Sequence, residues 1–201
     1  MNSAAITDHG VMYGVIDFYR EAKSQGINPI LGCEVYVAPN SRFDREVTGG
    51  EDRYYHLVLL AENNEGYANL MKIVSKGFVE GYYYKPRVDK ELLKEYHEGI
   101  IALSACLAGE IPDALRKGLY QTALNAAQEM SEIFGEDHFY LELQDHGIPD
   151  QKTVNQGLLR LAKDTGLELV ATMIFITHWP KMLRRMIVLL CIQTGKKVAD
   201  T

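Results

Sequence analysis

Ala4-Ala5-Ile6-Thr7-Asp8-His9-Gly10 is the stretch on which the reading of the fold turns. Small and apolar residues followed by a threonine predict a short buried strand. Asp8 and His9 arrive where that strand should end, and Gly10 lets the chain turn sharply away. A carboxylate beside an imidazole at the carboxyl end of a strand is where α/β folds put their chemistry. Taken alone, the segment fits two readings: a metal or catalytic pair, or a turn aspartate beside a surface histidine.

Working outward, the same unit recurs. Gly14 to Gly26 predicts a helix with Val15, Ile16, Tyr19 and Ala22 near one face. Ile30 to Val37 predicts the next strand, with Glu34 in the middle of an apolar run. A carboxylate there is costly to bury unless it is paired or bound to a cation, so Glu34 reads as functional; an edge-facing position is the alternative. Residues 40 to 53 are polar and glycine-containing and predict a mobile loop. Tyr54 to Ala61 predicts a strand that His56 opens. A helix follows, capped by Asn63 or Asn64, with Leu70, Ile73, Val74 and Phe78 as its buried stripe.

Tyr82-Tyr83-Tyr84-Lys85-Pro86-Arg87 interleaves aromatics and bases. Tyr83, Lys85 and Arg87 suit a single-stranded nucleic acid or a phosphate, and they equally suit a packed loop with two solvated cations. Asp89 caps a short helix. Gly99 to Cys106 predicts a buried strand with Cys106 at its carboxyl end. Cys106 there is a small hydrophobe or a ligand. Tyr120 to Phe134 predicts a helix and His138 to Gly147 a strand that again ends in Asp and His. Pro149 to Gly166 predicts a helix, and Leu167 to Thr172 a last strand. Strands alternating with helices favour a parallel α/β barrel or open sheet. The polar strand ends would gather on one face. His56 is the misfit, because it begins its strand.

The 201 residues, 47% hydrophobic, suffice for one well-buried domain. The net charge of -6 supplies no overall basic field for nucleic acid or anionic lipid. The longest apolar run, Met186 to Ile192, is far too short to cross a bilayer, so no membrane partner is expected. Cys33, Cys106 and Cys191 are odd in number, widely spaced and without a CxxC motif. With no signal peptide, they predict reduced thiols and a cytoplasmic location. Met1-Asn2-Ser3 leads straight into the first strand, as in a fragment that begins inside a domain.

Several linked segments resemble one family. Ile6 to Gly14, Gly32-Cys33-Glu34-Val35-Tyr36-Val37-Ala38-Pro39, His56-Leu57-Val58-Leu59-Leu60 and Ser104-Ala105-Cys106 are closely similar to the PHP (polymerase and histidinol phosphatase) domain, in the version carried by bacterial replicative polymerase III alpha subunits. The similarity runs from about Ala5 to Thr172 and resumes at Val188 to Asp200. It implies a distorted seven-stranded (β/α) barrel, here incomplete because the first strand is missing. It also implies a cluster of metal ligands, which by position are His9, Glu34, His56 and Cys106, with Asp8 as a further candidate. The family's metals would be zinc, manganese or iron, which suit mixed imidazole and carboxylate donors. Where intact, such a site is a metal-dependent phosphoesterase or 3′-5′ exonuclease. Where degenerate, the domain is a scaffold that docks the proofreading exonuclease. The parent would be a DNA-directed DNA polymerase, a nucleotidyltransferase that meets DNA and the replisome through domains absent from these 201 residues. A stand-alone phosphatase is a weaker reading, because Tyr36-Val37-Ala38-Pro39 looks polymerase-like.

Two departures from the family pattern stand out. The opening His-x-His ligands and the ligand that follows them are not in this sequence. Where the family has Asn-Asp-x-His-Tyr, this chain reads Met173-Ile174-Phe175-Ile176-Thr177, and neither isoleucine can bind a cation. A shift of reading frame would account for this; a genuinely diverged loop is the alternative. AAT GAT ATT CAT TAC encodes Asn-Asp-Ile-His-Tyr, and read one base later it begins ATG ATA TTC ATT, which encodes Met-Ile-Phe-Ile. The same shift accounts for Lys181 to Ile187, so residues 173–187 are expected to be out of frame. The expected function is therefore that of a PHP-domain fragment with an incomplete, inactive site.

Overall fold

The structure, a computed structural model, describes residues 2–46 and 54–172. The chain divides into Met1–Ala171 and Thr172–Thr201, and the described elements all lie in the first unit. The anomalous segment 173–187, with Ile174 and Ile176, lies outside the described residues.

Strand β1 (Ser3–Ile6) pairs in parallel with the first half of β2 (Asn28–Val37), with Ile6 opposite Leu31. Helix α1 (Val15–Ser24) makes the crossover that a parallel pair requires. Val15 and Ala22 are buried as the periodicity predicts. Ile16 and Tyr19, expected beside them, are instead 48% and 44% exposed. Ile16 lies roughly 100° around the helix from Val15, off the narrow stripe that meets the sheet. Tyr19 turns outward beneath the ammonium of Lys23.

Strand β3 (Tyr55–Ala61) takes the other edge of β2, and it is antiparallel: Tyr36 faces His56 and Glu34 faces Val58. It is also antiparallel to its next neighbour, β6 (Ile100–Leu103). The all-parallel sheet suggested by the helix alternation is thus corrected at β3. Among the described residues no helix lies between β2 and β3; the two strands pair as a hairpin, and hairpin strands run in opposite directions.

The loop at the base of this hairpin is pinned rather than mobile over residues 41–46. Arg42 is 7% exposed, and its guanidinium binds Glu80 and Asp89 at 2.8 Å each. Arg45 donates to the Glu80 carbonyl. Residues 47–53 of the same loop lie outside the described residues.

Helix α2 (Asn64–Val79) starts where Asn63 accepts the Gly66 N–H, a side-chain cap that satisfies an orphan donor. Leu70 and Ile73 are fully buried, but Phe78 stays on the surface and stacks on Tyr82. Strands β4 (Tyr82–Tyr83) and β5 (Lys85–Val88) form a tight hairpin, and β5 joins β2 in parallel at Tyr36 and Val37, on the edge that β1 occupies further back. Asp89 caps α3 (Lys90–Glu95) through the Leu92 N–H. After β6 comes α4 (Glu110–Arg116), which sequence periodicity did not predict. Helix α5 (Tyr120–Phe134), β7 (Phe139–Leu143), α6 (Pro149–Thr165) and β8 (Leu169–Ala171) follow the predicted order. Strands β6, β7 and β8 are mutually parallel.

The result is an α/β fold, a curled half-barrel sheet in the order β4-β5-β2-β3-β6-β7-β8 with β1 added on β2. Strand alternation divides its faces. Cys33, Val35, Leu57, Leu59, Phe139 and Leu141 pack with the helices in the main core. Val58, Leu103 and Ala105 form a small second cluster on the other face, and the pairing register places Glu34, Tyr36 and His56 on that face too. Among the described residues no helix is long and apolar enough to cross a membrane.

Candidate metal centre

Glu34 is the centre of the site. It is only 5% exposed, and its backbone is fixed from the side of β1: its N–H donates to the Asp8 carbonyl at 3.0 Å and its carbonyl accepts the Gly10 N–H at 2.9 Å. This extension of the β1–β2 ladder sets His9 beside it, with Nδ1 3.5 Å from Glu34 Oε2. Gly10 then turns at φ +69°, and a Cβ there would come within 2.7 Å of the Tyr36 ring. Only glycine tolerates both the turn and the contact.

His56 arrives from β3. Because that strand runs against its neighbours, its beginning lies where β2 and β6 end. The apparent misfit of a histidine at a strand start is therefore what brings it into the cluster. Its Nδ1 lies 2.6 Å from Glu34 Oε1, and its backbone N–H donates to the Ala108 carbonyl. Cys106 comes from the turn after β6. Ala105 adopts φ +63°, and the turn places Cys106 Sγ 3.7 Å from His56 Nδ1 and 3.9 Å from Glu34 Oε1. A non-glycine residue in the left-handed region is strained, and such strain clusters at functional sites.

The electrostatics follow from this packing. Burial alone would lower the His56 pKa, but the Cys106 and Glu34 contacts outweigh it and push His56 up to about 9. Cys33, on the opposite face of β2, has its thiol pushed up to about 12 by burial.

One donor atom from each of His9, Glu34 and His56 lies within 4.8 Å of the others. Two imidazoles and a carboxylate, with a thiol adjoining, are a donor set that zinc, manganese and iron all accept. Cys106 touches two of the three residues without belonging to that closest group. Asp8 does not join it: its side chain is exposed and lies toward Gly14, while its carbonyl holds the Glu34 N–H and the Cys33 thiol. The second strand-end pair, Asp145 and His146, is used locally; Gln151 binds His146, and Asp145 accepts the Gly147 N–H.

Sequence reasoning missed the aromatic wall. The Tyr36 ring lies 5.3 Å from the His56 ring and 6.4 Å from the His9 ring, and Tyr54 closes on both Tyr36 and His56. The signal was present, since Tyr36 lies two residues beyond Glu34 and a strand returns to the same face at that spacing. Of the candidate nucleic-acid contacts, Arg87 is corrected. It is 2% exposed, and its guanidinium donates to the carbonyls of Gly81, Arg42 and Asp44. Tyr83 is half-buried under that guanidinium, and Lys85 lies over Tyr36.

Residues 1–146 match the PHP domain. The DNA polymerase III subunit alpha of Treponema pallidum is 45% identical over 198 residues, covering 98% of this chain and 17% of that protein. The corresponding subunit of Thermus aquaticus is 47% identical over 169 residues, 84% of this chain and 14% of the relative. That of Deinococcus radiodurans is 46% identical over 171 residues, 84% of this chain and 13% of the relative. The chain thus spans 13–17% of the length of these relatives. The family match, together with a cluster drawn from the ends of three strands, places the chain in the PHP domain family.

Proposed function

We propose that this chain is the PHP module of a replicative DNA polymerase III alpha subunit, and that its cluster is an incomplete metal-dependent phosphoesterase site, 3′-5′ exonuclease-like in plan and inactive in this chain. The convergence of His9, Glu34 and His56 from β1, β2 and β3 carries this reading. His9, Glu34 and His56 would hold one divalent cation only weakly, with the Cys106 thiol beside it. Such an ion acidifies a bound water and offsets charge on a phosphodiester. The protein's own contribution is to orient His56 through Glu34 and to wall the site with Tyr36 and Tyr54. Inactivity is supported by the sequence at Ile174 and Ile176, where the family carries ligands.

The same reading takes residues 1–201 as a partial PHP domain in the cytoplasm, with 173–187 out of frame and the polymerase domains elsewhere in the parent. An uninterrupted frame on resequencing the gene through Met173 to Ile187 would refute the frame shift. DNA is met through that parent. The module also serves as a scaffold for the proofreading exonuclease, a role favoured by the exposed, stacked pair Phe78 and Tyr82. Co-purification with that subunit, weakened by Tyr82→Ser, tests the scaffold role.

Metal analysis after dialysis against manganese or zinc tests the site. The expected result is well under one tightly held ion per chain, falling further in His56→Ala. Two or more ions would overturn the reading. So would manganese-dependent release of nucleotides from a single-stranded 3′ end that His9→Ala abolishes.

A further inference from the structure

Among the described residues, β1 pairs with β2 alone, and its outer edge has no strand against it. The ladder between the two runs on past Ile6 to the bridge between His9 and Glu34. Asn28 and Glu34 donate from the β2 side to the carbonyls of Asn2 and Asp8, and Gly10 donates back to Glu34. Backbone groups alternate sides along a strand, so the even-numbered residues face β2, and Ser3, Ala5 and Thr7 turn their N–H and C=O outward. Ala5 is exposed and the residues beside it are half-buried, so solvent reaches this edge. Natural edge strands are blunted by lysine, proline or a bulge. Ser3-Ala4-Ala5-Ile6-Thr7 holds neither residue, and its pairing with β2 is unbroken.

A row of outward N–H and C=O groups at strand spacing is matched by another strand. This one is also complementary to itself. Laid antiparallel about a two-fold axis through Ala5, two copies set Ala5 against Ala5, Ser3 against Thr7, Ala4 against Ile6 and Asn2 against Asp8. Hydroxyl meets hydroxyl, apolar side chain meets apolar side chain, and amide meets carboxylate. A small side chain falls on the axis, and no like charges face each other. In this register the outward groups of Ser3, Ala5 and Thr7 meet those of the second copy as hydrogen-bonded pairs. A slip of one residue would set them against groups already bonded to β2.

We infer that β1 is a docking edge for a second copy of this chain, joined antiparallel along Asn2 to Asp8 into one continuous sheet. The axis stands perpendicular to the sheet, so the donor clusters of both copies open on the same side. So short an edge buries well below the roughly 1,600 Å² of a standard interface, and the dimer is therefore weak and dependent on concentration.

The test is sedimentation velocity of the 201-residue chain, in EDTA and a reducing agent so that neither a metal nor a disulfide joins the copies. Between about 10 μM and about 1 mM the mass should rise from 22.7 kDa toward twice that value. Ala5→Lys and Ala5→Glu each put like charges on the axis, and each should weaken association about five-fold. An equal mixture of the two should recover it, because the axis then carries an opposite pair, and recovery also shows that both variants fold. Ala5→Pro removes an outward N–H and no bond to β2, so it should keep the chain monomeric with a melting temperature near that of the wild type. A wild-type chain that stays monomeric across the range, association that Ala5→Pro leaves intact, or a Lys–Glu mixture that associates no better than either variant alone would overturn the inference.

Discussion

Asp89→Ala probes the contact that fixes the β2–β3 hairpin, and so the approach of His56 to Glu34. Asp89 is 2% exposed and acts twice. It caps α3 through the Leu92 N–H at 3.0 Å, and it binds Arg42 through the backbone N–H at 2.9 Å and the guanidinium at 2.8 Å. Loss of the cap costs about 1 kcal/mol. Leaving the buried Arg42 without this partner costs about 3 kcal/mol, the lower end for a broken buried pair because Glu80 still holds Nε. Together these amount to about 4 kcal/mol, a large part of the roughly 5–15 kcal/mol that holds a domain folded. With a urea slope near 2 kcal/mol per molar, the unfolding midpoint should fall by about 2 M. Asp89→Asn keeps one acceptor oxygen, which can serve the Leu92 N–H, but it puts an amide NH2 where Oδ2 accepts the Arg42 N–H and it loses the charge, so its cost should be about 3 kcal/mol. Urea titrations of the three chains by circular dichroism measure all of this. A midpoint for Asp89→Ala within about 0.5 M of the wild type, at unchanged slope, would refute the reasoning.

Thiol reactivity should divide sharply in a Cys191→Ser background: iodoacetamide should label Cys106 while Cys33, fully buried with its thiol pushed up to about 12, stays unmodified until the protein unfolds. Equal labelling of both in the native chain, read by mass spectrometry, would contradict the assigned faces of the sheet. Gly66→Ala should prevent stable folding, because its Cβ would lie 1.8 Å from the Gly99 carbonyl oxygen, a backbone atom that cannot step aside; a melting temperature close to the wild type would contradict that packing. Acid stability should depend on Asp113. Burial would raise its carboxyl pKa, but Lys117 and Arg116 outweigh burial and hold it below the ordinary value of 3.8. A depressed folded pKa contributes stability above the unfolded value and loses it as pH falls through the folded one. Asp113→Asn should therefore be less stable than the wild type at pH 7, with the difference shrinking in acid below about pH 4; a constant difference across that range would contradict the assignment.

Local sequence determined most of the elements. Asn63 and Asp89 announced their helices because a side-chain acceptor beside orphan N–H groups works within one turn, independent of the rest of the fold. Helices α5 and α6 were readable from the spacing of their buried residues. Glu34 stood out because an acid in an apolar strand demands a partner. Helix α4 was missed because it is seven residues long and contains Pro112, too short for a period to show. The exposures of Ile16 and Phe78 and the burial of Arg87 depend on which neighbour covers each face, which no local pattern encodes.

Strand direction was the decision that only the tertiary structure made. A strand's hydrophobic alternation reads the same whether its neighbours run with it or against it. His56 therefore looked misplaced until β3 proved antiparallel to β2 and β6, which sets its first residues against their last. Residues 25 and 22 positions apart in the chain, His9 with Glu34 and Glu34 with His56, meet because backbone pairing across two strand junctions holds their carbon atoms in register, a constraint that exists only once the sheet has formed.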